Sequence, residues 1–207
     1  MPESRGIFVT GTDTGVGKTV VAAALVRLGA WYWKPIQSGI EGDPATDTAA
    51  VARWTGAPER MLPEAYRLSL PASPHVSAAA EGVTIERGRL ELPLHAGPIV
   101  VEGAGGIMVP INGSDTMLDL MTWLALPVLL VARTQLGTIN HTLLSLEALR
   151  RRGLEVRALV LNGTPVPSTT ATLRAWGNPE HLIELPPLGA MNEAAVRRAG
   201  EALRGIL

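Results

Sequence analysis

Ile7-Phe8-Val9-Thr10-Gly11-Thr12-Asp13-Thr14-Gly15-Val16-Gly17-Lys18-Thr19 decides the fold. Ile7 to Thr10 is a short β-branched and aromatic run that reads as a buried strand, and the Ala-, Val- and Leu-rich segment Thr19 to Leu28 behind it reads as a helix stopped by Gly29. A Gly/Thr loop between a strand and a helix is where exposed backbone N–H groups cradle phosphates. Gly17 permits close backbone approach, Lys18 reaches the β- and γ-phosphates, and the Thr19 hydroxyl can ligate Mg²⁺. In the common pattern the first glycine falls at position 12; here Thr12 stands there and Gly11 precedes it. The stretch is a phosphate-binding loop.

Outward from it, Trp31 to Lys34 reads as a second strand closed by Pro35, which completes a β-α-β unit. Apolar strands at Ile99 to Val101, Val128 to Ala132, Val156 to Leu161 and Leu182 to Leu185 then alternate with helices at 46–55, 75–81, 117–124, 138–152, 168–176 and 193–207. The stretch between the helices ending at Thr55 and starting at His75 reads as loop. Strands apolar throughout and separated by helices imply a parallel sheet covered on both faces. The expectation is one α/β domain spanning 1–207, doubly wound, with a mostly parallel sheet, helices on both faces and a P-loop NTPase-like start. Ligands of such sheets bind beyond the carboxyl ends of the strands, here the loops after Thr10, Val101, Ala132 and Leu161.

Composition narrows the function. With Lys+Arg 18 against Asp+Glu 19 the net charge is -1, so no basic field exists to hold nucleic acid or an anionic membrane. Cys 0 removes thiolate nucleophiles, disulfides and cysteine metal sites. His75, His95, His141 and His181 show no paired metal-ligand spacing. The longest apolar stretch, Leu124 to Ala132, is broken by Pro127 and falls far short of the about 20 residues that span a bilayer. Met1 to Gly6 is polar and carries no apolar signal region, so a cytoplasmic location is expected.

Several residues outside the loop can carry chemistry. Glu102 ends an apolar strand before Gly103-Ala104-Gly105-Gly106, where a carboxylate faces Mg²⁺ beside a phosphate loop or is a solvated turn residue. Asp47 is either a second metal carboxylate or a helix N-terminal acid, with Asp43 as its substitute. Lys34 can reach the γ-phosphate from the side opposite Lys18 or simply be solvated. Gly137-Thr138-Ile139-Asn140 opens a helix whose free N–H groups suit a substrate carboxylate, unless Thr138 is an ordinary N-cap. Asn162-Gly163 is a turn signal, although an Asn amide has the donor and acceptor needed to read adenine. His75 and His141 read as structural, and Trp31, Trp33, Trp54, Trp123 and Trp176 as core or subunit-contact residues.

Taken in order, Val9 to Thr19, Lys34-Pro35-Ile36-Gln37-Ser38-Gly39, Ser73-Pro74-His75, Val101 to Gly106 and Gly137-Thr138-Ile139-Asn140-His141 resemble the dethiobiotin synthetase family over nearly the whole chain. The resemblance implies a ligase that joins CO2 to 7,8-diaminopelargonic acid with ATP and Mg²⁺, closing a cyclic urea and releasing ADP and phosphate. It implies a carbamate that attacks the γ-phosphate, with no protein nucleophile. By the same resemblance Thr19, Asp47 and Glu102 hold Mg²⁺, and Lys18 and Lys34 neutralise the transferring phosphoryl group. Thr14, Lys34 and Ser38 touch substrate, Gly105 and Gly106 present backbone to the diamine, and Gly137, Thr138 and Asn140 hold its carboxylate near the interface of a homodimer. Asp13, Gly15, Val16, Gly17 and Val20 complete the nucleotide contacts, with Asn162 reading adenine. Two alternatives fit less well. A ParA- or MinD-like ATPase switch carries a signature lysine where this chain has Asp13, and a cobyrinate-type amidotransferase needs a cysteine nucleophile.

Overall fold

The computed structural model describes residues 6–40 and 46–207. In chain order these form β1 (Gly6–Gly11), α1 (Lys18–Arg27), β2 (Trp31–Trp33), β3 (Ile36–Ser38), α2 (Asp47–Thr55), β4 (Met61–Leu62), β5 (Tyr66–Leu68), α3 (Pro74–Ala80), β6 (Ile99–Gly106), α4 (Met117–Leu124), β7 (Val128–Arg133), α5 (Thr138–Arg151), β8 (Val156–Asn162), α6 (Pro167–Gly177), β9 (Leu182–Leu185) and α7 (Glu193–Ala202).

Seven strands make one sheet in the order β4-β2-β6-β1-β7-β8-β9, every pairing parallel. Side chains alternate across it, which divides the interior into two cores. Phe8, Val101, Leu130 and Leu161 face the side covered by Met121 of α4, Leu146 and Leu149 of α5 and Leu173 of α6. Ile7, Val9, Val100, Val131 and Val160 face the side covered by Val21 and Leu25 of α1, Val51 of α2 and Val196 and Ala199 of α7. Helices on both faces of a parallel sheet are the doubly wound arrangement that the alternation predicts. The chain runs from β1 past β6 to β2, and later from β6 over β1 to β7, so the winding reverses around β1. The crevice at such a reversal is where ligands of open α/β sheets bind.

The structure corrects several boundaries. Gly103 to Gly106, expected as loop, continues β6, and Gly106 pairs with Gly11 of β1. Gly103 is there for close approach, since a Cβ on it would lie 2.9 Å from the Phe8 ring. Ile36 to Ser38 forms β3, paired with β5 in a separate two-stranded ladder, and β4 joins the main sheet beside β2, so the 56–74 stretch is not wholly loop. The last helix ends at Ala202 rather than Leu207, because Leu203 caps it and Gly205 turns at φ +84°. Of the five tryptophans, Trp33 is buried as expected, whereas Trp176 is 77% exposed.

Candidate active site

The loop from Gly11 to Lys18 leaves β1 at the reversal and enters α1 through Gly17, which caps the helix at φ +101° with no side-chain hydrogen bond. The first-turn N–H groups are therefore uncapped by any side chain and point toward an anion position. Only glycine fits at 17, since a Cβ would sit 2.1 Å from Asn162 Nδ2. That amide donates to the Val16 carbonyl at 2.9 Å and so locks the end of β8 to the loop. Lys18 Nζ donates to the Asp13 carbonyl at 2.9 Å. Asp13 itself accepts from Thr14 N at 2.7 Å and pairs loosely with Arg133 at 3.7 Å.

Beside the loop lies a buried cluster that draws on four elements. Thr19 Oγ1, in the first turn of α1, donates to Glu102 Oε1 of β6 at 2.9 Å and lies 3.1 Å from Asp47 Oδ1 of α2. Lys34 Nζ, just past β2, bonds Asp47 Oδ2 at 2.7 Å, Glu102 Oε1 at 3.0 Å and the Gly103 carbonyl at 3.0 Å. Tyr32 donates to Glu102 Oε2 at 2.8 Å. Glu102 is 1% exposed and Lys34 3%, so neither is the solvated residue that its sequence position allows. Asp47 is both things at once. It is the first acid of α2, with Thr46 as the N-cap, and its backbone N–H is held at 3.0 Å by Gln37 Oε1 so that its carboxylate faces Lys34. Asp43 lies outside the described residues.

Electrostatics separate the two lysines. Burial, and then the neighbouring Lys34 charge, pull Lys18 down to about 8 against the opposing pull of Glu102, Asp47 and Asp13. Burial also acts against a charged Lys34, but Glu102 and Asp47 outweigh it through charge and hydrogen bonds and hold its ammonium above the ordinary range. Asp47 is held low because Lys34 and Thr19 outweigh its desolvation. Burial, reinforced by Glu102, pushes the Tyr32 phenol well above its ordinary value, so Tyr32 is a proton donor in this cluster. The cluster is an arrangement in which Lys34 stays charged well into the alkaline range, while Lys18, pulled down to about 8, gives up its proton more readily.

Lys18, Thr19, Lys34, Asp47 and Glu102 line a cleft of about 680 Å³ that also receives Thr14, Gly15, Val20, Ser38, Trp54 and Gly105, with Tyr32 behind its wall. Ser38 Oγ is buried with no partner among the described residues, a polar atom still to be satisfied inside the cleft. Gly105 turns at φ +65° where a Cβ would strike Val109 at 2.7 Å, and it leaves backbone bare opposite Thr14. A cavity of about 600 Å³ adjoins the loop between Gly15, Val16, Asn162 and Leu188. Thr12, Thr14, Gly106, Met108, His141 and Leu144 line another of about 550 Å³. Gly137, Thr138 and Asn140 do not line the cleft. Gly137, not Thr138, is the N-cap of α5, and the Thr138 hydroxyl turns back to the Arg133 carbonyl at 2.6 Å.

Among the described residues no group of three or more His, Asp or Glu stands ready to hold a metal. Mg²⁺ does not require one, because it is bound through one or two carboxylates, waters and substrate phosphates. A threonine hydroxyl between two carboxylates at the phosphate loop fits that donor set. Sequence reasoning missed Tyr32, Gln37 and Trp54. Tyr32 was findable as the residue two before Lys34 on a strand and hence on the same face. Trp54 and Gln37 carried no sequence signal that separates them from core or turn.

Residues 5–195 match the AAA_26 family, described as an AAA domain. The chain is 48% identical over 198 residues to an ATP-dependent dethiobiotin synthetase of Rhodopseudomonas palustris strain BisA53, covering 95% of this chain and 92% of that one. The corresponding synthetase of Nitrobacter hamburgensis is 49% identical over 198 residues, with the same coverage. A solved ParA family ATPase from Chlorobium tepidum superposes with a TM-score of 0.51 at 12% identity, over 99% of this chain and 92% of that chain, a likeness of fold alone.

Proposed function

The chain belongs to the ATP-dependent dethiobiotin synthetase family, and we infer from that membership that it joins CO2 to 7,8-diaminopelargonic acid with ATP, giving dethiobiotin, ADP and phosphate. One observation carries the reading to the residues: the phosphate loop, two lysines and two carboxylates meet in one cleft. In this reaction one amine of the diamine takes up CO2 as a carbamate. A carbamate oxygen attacks the γ-phosphorus and expels ADP, and the neighbouring amine then attacks the anhydride carbonyl and expels phosphate. Every bond forms between substrates, so the protein's work is alignment and charge stabilisation.

The first-turn amides of α1 and Lys18 hold the β- and γ-phosphates, with Asp13, Gly15, Val16, Gly17 and Val20 shaping the loop around them. Thr19, Asp47 and Glu102 hold Mg²⁺, which when bound neutralises phosphate charge. Lys34 faces the same γ-phosphate from β2, and its charged state suits it to the oxygens of the transferring group. The unpartnered Ser38 hydroxyl, Thr14 and the bare backbone of Gly105 receive the diamine, with Gly106, which lines the adjoining cavity with Thr14, beside them, while Asn162, fixed to Val16, offers its remaining oxygen to adenine. Gly137, Thr138 and Asn140 lie outside the cleft of their own chain, so their role in holding the substrate carboxylate requires a second subunit. The exposed apolar side chains of Met108, Leu136 and Leu144 beside them favour such a homodimer. Light scattering should then give twice the 21.9 kDa chain mass, and a fully active monomer would remove the shared part of the site.

The lysine asymmetry gives a proton-linked prediction. In the free protein Lys18 is pulled down to about 8, and the negative charge of a bound triphosphate should raise it again. ATP binding at pH ~9 should therefore take up about one proton and weaken about tenfold per pH unit above the free pKa, whereas at pH ~6.5 Lys18 should add none and only the nucleotide's own terminal phosphate exchanges protons. Calorimetry in buffers of different ionisation enthalpy measures the uptake. Equal uptake at both pH values would contradict the assignment of Lys18 to the phosphates. The reaction itself is tested by phosphate release under multiple turnover, which should require both the diamine and CO2 or bicarbonate. Release indifferent to the diamine would favour a simple ATPase.

A further inference from the structure

The two oxygens of Glu102 have different partners. Oε1 meets Thr19 and Lys34 at 2.9 and 3.0 Å, whereas Oε2 meets the Tyr32 hydroxyl at 2.8 Å and nothing else among the described residues. The sheet sets this up. β2 and β6 are parallel neighbours with Tyr32 opposite Val100 and Trp33 opposite Val101. Alternation therefore puts Tyr32, Val100 and Glu102 on the face that meets α1, and Tyr32 is fully buried there.

We propose that Tyr32 is a positioning residue for the metal site: its hydroxyl holds Glu102 Oε2 so that Oε1 is presented to Thr19 and to the cation. The inference rests on the reading of Glu102 as a Mg²⁺ ligand. The terminal torsion of a glutamate is broad and weakly restrained, so a second hydrogen bond is what fixes the plane of its carboxylate. Without the hydroxyl, the bare Oε2 is drawn to Lys34 Nζ, the nearest cation, and the carboxylate plane turns away from Thr19. Removing a hydrogen-bond partner of a metal-ligating carboxylate costs about 10–100-fold in metal affinity.

Mn²⁺ titrated into the enzyme–ADP complex and followed by electron paramagnetic resonance measures this without turnover. Tyr32→Phe keeps the ring and its packing, and it should weaken Mn²⁺ binding about tenfold or more, with ADP affinity in chelator unchanged and a lower melting temperature, because buried Glu102 Oε2 loses its hydrogen bond. Glu102→Gln is the control for the underlying reading. Weakened Mn²⁺ binding in Glu102→Gln but not in Tyr32→Phe overturns the role of Tyr32 alone, and unchanged binding in both overturns Glu102 as a ligand. A second measurement stands even if Tyr32→Phe does not fold. The chain has only two tyrosines, so with ring-labelled tyrosine in the unaltered protein, and Tyr66→Phe for assignment, Mg²⁺ should shift the Tyr32 resonance of the ADP complex and leave that of Tyr66 in place. An unmoved Tyr32 resonance overturns the proposal.

Discussion

Lys34→Gln is expected to lower kcat by about two orders of magnitude or more while changing the KM for ATP much less. The side chain is buried and touches Asp47, Glu102 and the Gly103 carbonyl, none of which belongs to the phosphate loop. In the proposed role its charge serves the transferring phosphoryl group rather than the held ADP, which is why kcat and not KM should fall. Glutamine is the informative replacement because it keeps a donor and most of the volume. Either substitution leaves Glu102 and Asp47 without their cation, and stranding a buried charge costs roughly 3–5 kcal/mol, of which the glutamine amide recovers part by donating to a carboxylate whereas Lys34→Ala recovers none. Steady-state kinetics beside a thermal melt separates the two effects. An unaltered kcat in a folded Lys34→Gln protein would assign Lys34 to holding the carboxylates and nothing more.

Lys18→Ala should lose turnover by a factor of about 10³ or more, as removal of a cation from a phosphoryl-transfer site does, yet it should not lower the melting temperature. The sign follows from burial. In the free protein Lys18 is pulled down to about 8, whereas the unfolded chain keeps it near 10.5. The unfolded state thus binds more protons between those values, and a charged Lys18 costs stability below them, a cost that fades as pH rises through the window. Deleting the side chain removes that cost, so Lys18→Ala melts at the same temperature or higher, opposite to Lys34→Ala. Thr19→Val should also abolish turnover, since its hydroxyl is the link between Asp47 and Glu102. Retained turnover in folded Lys18→Ala would remove the loop from the chemistry.

Much of the architecture was legible because its signals are local. A strand, a Gly/Thr loop and a helix within Ile7 to Leu28 identify a phosphate site without reference to the rest of the chain, and the apolar strands announce a sheet covered on both faces. What was hidden depends on register. Glu102 and Lys34 lie 68 residues apart, and only the parallel pairing of β2 with β6 joins them. The glycines after Glu102 imitate a loop because the same residue serves flexible turns and close strand approach. β3, β4 and β5 escaped because two or three residues are too few to show a period. Thr138 looked like a cap, but the preceding glycine took that place with a positive φ and freed the hydroxyl to turn inward.

In the proposed reaction this cleft builds a ureido ring from a diamine, CO2 and ATP with no covalent help from the protein. Carbon-13 bicarbonate supplied with Mg²⁺, ATP and 7,8-diaminopelargonic acid tests it most directly, with the products read by mass spectrometry. Dethiobiotin should form one mass unit heavier, with the label in the ring carbonyl and one phosphate released per ring closed. Phosphate release with no labelled ring, in the presence of both co-substrates, would contradict it.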